Sequence, residues 1–174
     1  MSGDGAPETT EDGRWIVVDG RRWRATDPSI PELFRRELVD ELMAARRAVG
    51  AARRADDAVA EAEARTRVQD AKVALGERGR AWWEEPTEDE AAGRLRAAVL
   101  ALARHRGEGS TICPSDAARA VGGEGWRSSM DAARTAVRTL AAEGAVVVLQ
   151  GGEVIDAAGR WRGPVRVRIV ADDG

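Results

Sequence analysis

The sequence predicts an α+β, mainly helical protein. It should begin with an N-terminal β-hairpin plus an antiparallel helical hairpin and continue into a second unit of three helices and a small sheet. Three observations lead there. Asp19-Gly20 separates two short runs carrying Trp15 and Trp23. Two long Ala- and Arg-rich segments are split by Asp56-Asp57 and repeat apolar residues at helical spacing. Beyond Pro86, three more helical segments precede two strand-like runs, Ala145 to Gln150 and Pro164 to Val170.

The first element after an acidic, Gly- and Thr-containing tail (1–13, expected to be disordered) is the hairpin. Asp-Gly suits a two-residue type I′ turn, because both central residues need positive φ. That register sets Ile16 opposite Trp23 and Trp15 opposite Arg24, an arginine beside an indole face. Asp27-Pro28-Ser29-Ile30-Pro31 ends the hairpin and opens a helix. Asp27 or Ser29 is the expected cap and Pro31 the first-turn residue. Leu33, Phe34, Leu38, Leu42, Ala45 and Val49 form its stripe, to about Arg54. Asp56-Asp57 caps a second helix to about Leu75. Its stripe, Ala55, Val59, Ala62, Thr66 and Val73, is weak and rich in Ala, which permits close helix packing. Gly76-Glu77-Arg78-Gly79 is a stop, Trp82-Trp83 is expected to pack at the junction, with a partner-docking anchor as the alternative, and residues 84–88 read as a linker between units 14–83 and 89–170.

Thr87 and Glu90 make a capping box. The helix they open buries Ala91, Leu95, Ala98, Val99 and Leu102 and ends near Gly107. Ser110 to Ile112 is a short extended piece. Pro114 to Val121 is a short helix, Gly122 to Gly125 a turn, and a third helix runs from about Trp126 to Glu143. A strand (145–150), a Gly-rich loop (151–163) and a return strand (164–170) complete the order, with 171–174 as a tail. Helix, short strand, helix, turn, helix, strand, loop, strand is the order of a C-terminal winged helix-turn-helix domain.

Two resemblances accompany this order. Residues from about 89 to 170 resemble a bacterial domain family of unknown function with a winged-helix fold. The matching residues are 114–121 (Pro-Ser-Asp-Ala-Ala-Arg-Ala-Val), Trp126-Arg127, Met130, Ala133-Arg134, 140–144 (Leu-Ala-Ala-Glu-Gly), 148–151 (Val-Leu-Gln-Gly) and 163–166 (Gly-Pro-Val-Arg). Cys113 departs from the Ser usual before that Pro, and Cys is a poor cap. The N-terminal half resembles a bacterial segment labelled a Tol-type biopolymer transporter, through Trp15, Asp19-Gly20, 23–28 (Trp-Arg-Ala-Thr-Asp-Pro), Ala71-Lys72, 75–79 (Leu-Gly-Glu-Arg-Gly) and Trp82-Trp83. That label implies transport.

Composition narrows the function. The chain has 174 residues and a net charge of −3; residues 89–174 hold 12 basic and 11 acidic groups, and trimming the acidic edges to 94–169 leaves 12 and 7. A positive local field within an acidic chain fits a polyanionic partner. Lys72 is the only Lys, so phosphate or base-edge contacts fall to Arg. No basic, apolar leader opens the sequence, and the longest apolar run, Ala97 to Ala103, is far short of a membrane span. A single Cys forms no internal disulfide. The expected setting is cytoplasmic, without membrane contact.

The candidate nucleic-acid-binding residues are Ser115, Arg119, Arg127, Arg134, Arg138, Arg160 and Arg162. Arg127, Arg134 and Arg138 share one face of the third helix at 100° per residue, opposite Met130, Ala133, Val137 and Leu140. Such a stripe suits a recognition helix in the major groove. Asp131 can instead neutralise Arg127 or Arg134 on the surface. Arg160 and Arg162 flank Trp161, either on a wing reaching phosphates or around a Trp that covers the sheet edge. Ser115 and Arg119 stand on the short helix, where Ser115 can bond a phosphate. Arg166 and Arg168 can extend the patch. His105 and Cys113 are the only pair resembling a nucleophile and base, without a third group to orient them. The expectation is therefore a protein without catalytic, metal or cofactor sites that binds double-stranded DNA. The alternative is a protein-docking module, with itself or another protein meeting the helical hairpin.

Overall fold

The computed structural model describes residues 7–171, and residues 1–6 and 172–174 of the predicted tails lie outside them. The Asp19-Gly20 turn forms as the sequence dictates, with φ of 50° and 75°. It joins β2 (Trp15–Val18) to β3 (Arg21–Arg24) in the expected register, Ile16 opposite Trp23 and Trp15 opposite Arg24. A further strand, β1 (Glu8–Thr9), pairs antiparallel with β2, where disorder was expected. The reason is a tight turn. Thr10 N–H donates to the Trp15 carbonyl at 2.9 Å, Gly13 N–H to the Thr10 carbonyl at 2.8 Å, and Trp15 N–H to Thr10 Oγ1 at 3.2 Å.

The helical hairpin consists of α1 (Glu32–Arg54) and α2 (Ala58–Ala74). Two cross-pairs show that they run antiparallel: Arg53 with Glu61 at 2.9 Å and Arg67 with Glu41 at 2.8 Å. Glu41 is buried and takes both arms of the Arg67 fork, a bidentate geometry that offsets part of the desolvation cost. The predicted α1 stripe is right for Phe34, Leu38, Leu42 and Ala45, whereas Leu33 is exposed. The predicted α2 stripe is wrong. Val59 is 69% exposed, and Ala64, Ala71 and Ala74 are buried instead. In a helix where Ala recurs on every side, periodicity does not select a face, and the fit against α1 does. Asp57 caps α2, accepting from Ala60 N–H at 3.0 Å.

Asp27 does not cap α1, and Pro31 occupies the cap position without a side-chain bond. The Asp27 carboxylate is buried and used elsewhere. Oδ1 accepts from Ser29 N–H at 2.9 Å and from Ser29 Oγ–H at 2.7 Å, and Oδ2 accepts from Arg94 at 2.8 Å. Arg94 also donates to the Ala74 carbonyl. Gly76 closes over this pair with φ +77°, and a Cβ there would lie 3.0 Å from Asp27 Cβ and 3.2 Å from Arg94. Trp82 Nε1–H donates to the Ala25 carbonyl at 3.0 Å, and the Trp83 ring meets Trp15 and Trp82 edge-on. The expected Arg24–Trp15 stack is replaced: Arg22 lies over Trp15 and Arg24 over Trp83. Trp83 thus takes the partner that the two-stranded register assigned to Trp15.

The central element is α3 (Glu88–Arg106), opened by the Thr87/Glu90 capping box with bonds of 3.2 and 2.8 Å and stopped at Gly107. Every residue from Ala97 to Ala103 is buried, because α3 packs on α1 and α2 and also on α4 (Pro114–Val121), α5 (Met130–Ala142) and β6 (Arg166–Ile169). One core therefore runs from Ile30 and Phe34 through Leu102 to Val137 and Val167. The predicted linker joins two halves that share this core.

The second sheet has the antiparallel order β5–β4–β6, where β4 is Val146–Gln150 and β5 is Glu153–Ile155. Ile112 extends it by one bridge to Val167. Strand β5 lies inside the segment expected to be loop. Gly151 and Gly152, both at positive φ, make a two-residue hairpin turn, a signal hidden in the glycine content of the segment. No helix among the described residues is long and apolar enough to cross a membrane.

Asp27→Ala would strand the half-buried Arg94 guanidinium. It should lower unfolding free energy by about 3 kcal/mol, read from a urea titration of the full chain, while Asp19→Ala on the exposed turn should cost far less.

Candidate nucleic-acid interface

Residues after Gly107 hold eight arginines, Arg119, Arg127, Arg134, Arg138, Arg160, Arg162, Arg166 and Arg168. Among the described residues none of them forms an ion pair. By contrast every arginine of α3 is paired: Arg94 with Asp27, Arg96 with Glu143, Arg104 with Asp70 and Arg106 with Glu37. Asp131 does not neutralise Arg127 or Arg134. The Asp116 carboxylate accepts from Cys113 N–H at 2.9 Å, which secures the start of α4 despite the weak cap, and Asp156 accepts from Ala158 N–H at 2.9 Å. Asp116 and Asp156 thus serve the backbone and not the guanidiniums.

Four of the predicted residues converge. Ser115, Arg119, Arg127 and Arg134 line one open groove of about 480 Å³, together with Cys113, Trp126, Met130 and the backbone at Gly163 and Pro164. Trp126 organises it. Arg119 lies 4.7 Å and Arg127 4.6 Å from its ring centroid, so cation–π attraction holds two like charges beside one indole. The ring is set there by Gly122. A Cβ on Gly122 would lie 2.5 Å from the Ala118 carbonyl oxygen and 2.8 Å from Trp126 Cα, so the chain leaves α4 in a turn only glycine fits.

Arg127 is not on the third helix. Residues Gly123–Ser129 form a 3-10 helix and α5 begins at Met130, so the predicted Arg127–Arg134–Arg138 stripe does not exist as a single row. Three glycines and Ser128, whose hydroxyl donates to the Gly125 carbonyl at 2.7 Å, favour the tighter winding. Arg127 still reaches the groove, through Trp126.

Arg138 is engaged with the loop that follows β5. It lies 3.9 Å from the Trp161 ring centroid and donates to the carbonyls of Ala157 and Gly159, the latter at 2.8 Å. From the far side Gln150 Nε2–H donates to the carbonyls of Arg162 and Pro164. Trp161 is only 6% exposed and belongs to the main core, where the sequence suggested a cover for the sheet edge. Arg160 and Arg162 on either side are exposed. One buried indole and two tethers thus hold a loop that presents two arginines outward. Arg166 is occupied by Thr111, at 2.9 Å to Oγ1 and 3.1 Å to the carbonyl. Cys113 lines the groove and His105 does not, so the two do not form one site.

The organising roles of Trp126 and Gln150 escaped sequence reasoning. For Trp126 the signal was present in Arg119 and Arg127 bracketing a lone aromatic; for Gln150 there was none. Residues 92–170, from within α3 to just past β6, match a family described as protein of unknown function (DUF3253). No curated protein matches the chain.

Arg138→Ala should release the loop. Trypsin cleavage after Arg160 and Arg162 in the folded protein should rise several-fold, and an unchanged rate would show that Arg138 does not restrain it.

Proposed function

We propose that the region from α3 to β6 is a winged helix-turn-helix that binds double-stranded nucleic acid through the α4–α5 groove and the 156–165 loop, without catalysis. The single observation behind this reading is the set of eight arginines beyond Gly107 that form no ion pair among the described residues, beside an α3 whose arginines are all paired. Leaving guanidiniums unpaired on one region while neutralising them on another concentrates positive potential where a polyanion would sit.

The element order supports the winged-helix reading. Helix α3, the Ile112 bridge, α4, the 3-10 turn, α5, β4 and β6 follow that fold's sequence, with β5 as an added strand on the outer edge of β4. In this reading Arg119, Arg127 and Arg134 meet phosphates or base edges from the groove, Ser115 donates to a phosphate at the α4 start, and Arg160 and Arg162 act from the wing. Arg138 is a positioning residue for that wing. A loop fixed before binding loses less entropy on association. A regulator acting in a cytoplasmic setting is the biological role this chemistry fits.

The test is binding of the full chain to a fluorescent random-sequence duplex at several salt concentrations. Affinity should fall steeply with salt. Arg119→Ala, Arg134→Ala and Arg160→Ala should each flatten the logarithmic salt dependence by about 0.9 for every phosphate that the arginine neutralises. Arg35→Ala, which removes an arginine paired with Glu32, should leave it unchanged. Absence of binding at low salt would sink the reading and make a protein partner the next candidate.

A further inference from the structure

The first sheet has one covered face and one open face. Side chains alternate across a strand, so the observed register places Trp15, Val17, Arg22 and Arg24 on one face and Ile16, Val18, Arg21 and Trp23 on the other. The first face is closed by Trp83. The second leaves Val18 43% and Trp23 46% exposed, and Trp23 is the one exposed aromatic ring of the described residues. Arg21 lies 4.9 Å and Lys72 Nζ 5.9 Å from the Trp23 ring centroid.

The charge around that ring is also uncompensated. Among the described residues Arg21, Arg46, Lys72 and Arg78 form no ion pair; Arg78 donates to Gln69. Burial together with the neighbouring guanidiniums of Arg78 and Arg46 holds the Lys72 ammonium below its usual range, against the pull of Glu77. The Glu77 carboxylate is engaged by the Thr26 hydroxyl at 2.8 Å. Strand β3, α1, α2 and the turn after α2 therefore bring an accessible indole and a cluster of cations to one place, and an anion would relieve their repulsion. An exposed aromatic on a sheet beside a basic track is the physical basis of sequence-tolerant binding of unpaired bases.

We propose that the open face of the N-terminal sheet binds an unpaired nucleotide, in a single strand or free, with its base stacked against Trp23 and its phosphate beside Lys72, Arg46 and Arg78. This site is separate from the α4–α5 groove and stands whether or not that groove binds a duplex.

The test uses the full chain with labelled oligothymidylate and, in a second arm, thymidine monophosphate. Trp23→Ala should weaken binding about tenfold, the loss expected for one stacked base. Trp23→Phe should restore most of it, and Lys72→Gln should weaken it with a reduced salt dependence. Arg119→Ala and Arg134→Ala should leave it unchanged. Binding of the oligomer alone assigns the site to a strand, and equal binding of the monophosphate assigns it to a free nucleotide. The proposal is overturned if neither probe binds, if Trp23→Ala has no effect, if inorganic polyphosphate displaces the oligomer as well as unlabelled oligomer does, or if the groove variants abolish binding.

Discussion

The buried pair between Asp27 and Arg94 is the interaction on which the arrangement of this protein depends. Asp27 leaves the first sheet, Arg94 projects from α3, and the same guanidinium reaches the last turn of α2. Three elements far apart in sequence are thereby fixed at one point. The close approach of Gly76 and the Trp82 bond to Ala25 seal it. A buried charge without its partner is costly, so the pair disfavours any arrangement in which the helical hairpin separates from α3.

The electrostatic character of the molecule follows from that docking. Glu37, Asp27 and Asp70 of the N-terminal half neutralise Arg106, Arg94 and Arg104 of α3. Those three carboxylates are consumed in the interior seam, and among the described residues the arginines beyond Gly107 form no ion pair. Residues 108–171 carry eight arginines and seven acidic groups, so those arginines are distinguished by their lack of ion pairs and not by a large excess of charge.

Tryptophans organise the arginines on both sheets. Trp126 gathers Arg119 and Arg127, Trp161 stacks with Arg138, and Trp83 and Trp15 take Arg14, Arg24 and Arg22. Cation–π contact holds a guanidinium in place without cancelling its charge, whereas a carboxylate would do both. Where Trp126 takes the place of Asp or Glu as the partner, Arg119 and Arg127 keep their charge for an anion.

Local rules in the sequence were enough to determine the Asp19-Gly20 hairpin and its register, the Thr87/Glu90 capping box, the span of α4 and the buried face of α1. Each rests on a φ requirement, a cap or a period that acts within a few residues. Ser115, Arg119 and Arg134, named from separate helices, meet in one groove. Only the tertiary structure decided which face of Ala-rich α2 is buried, that Asp27 serves α3 rather than capping α1, that Arg127 belongs to a 3-10 turn, and that Arg138 braces the loop. In these cases several local solutions are nearly equal in energy, and contacts with residues distant in sequence choose among them.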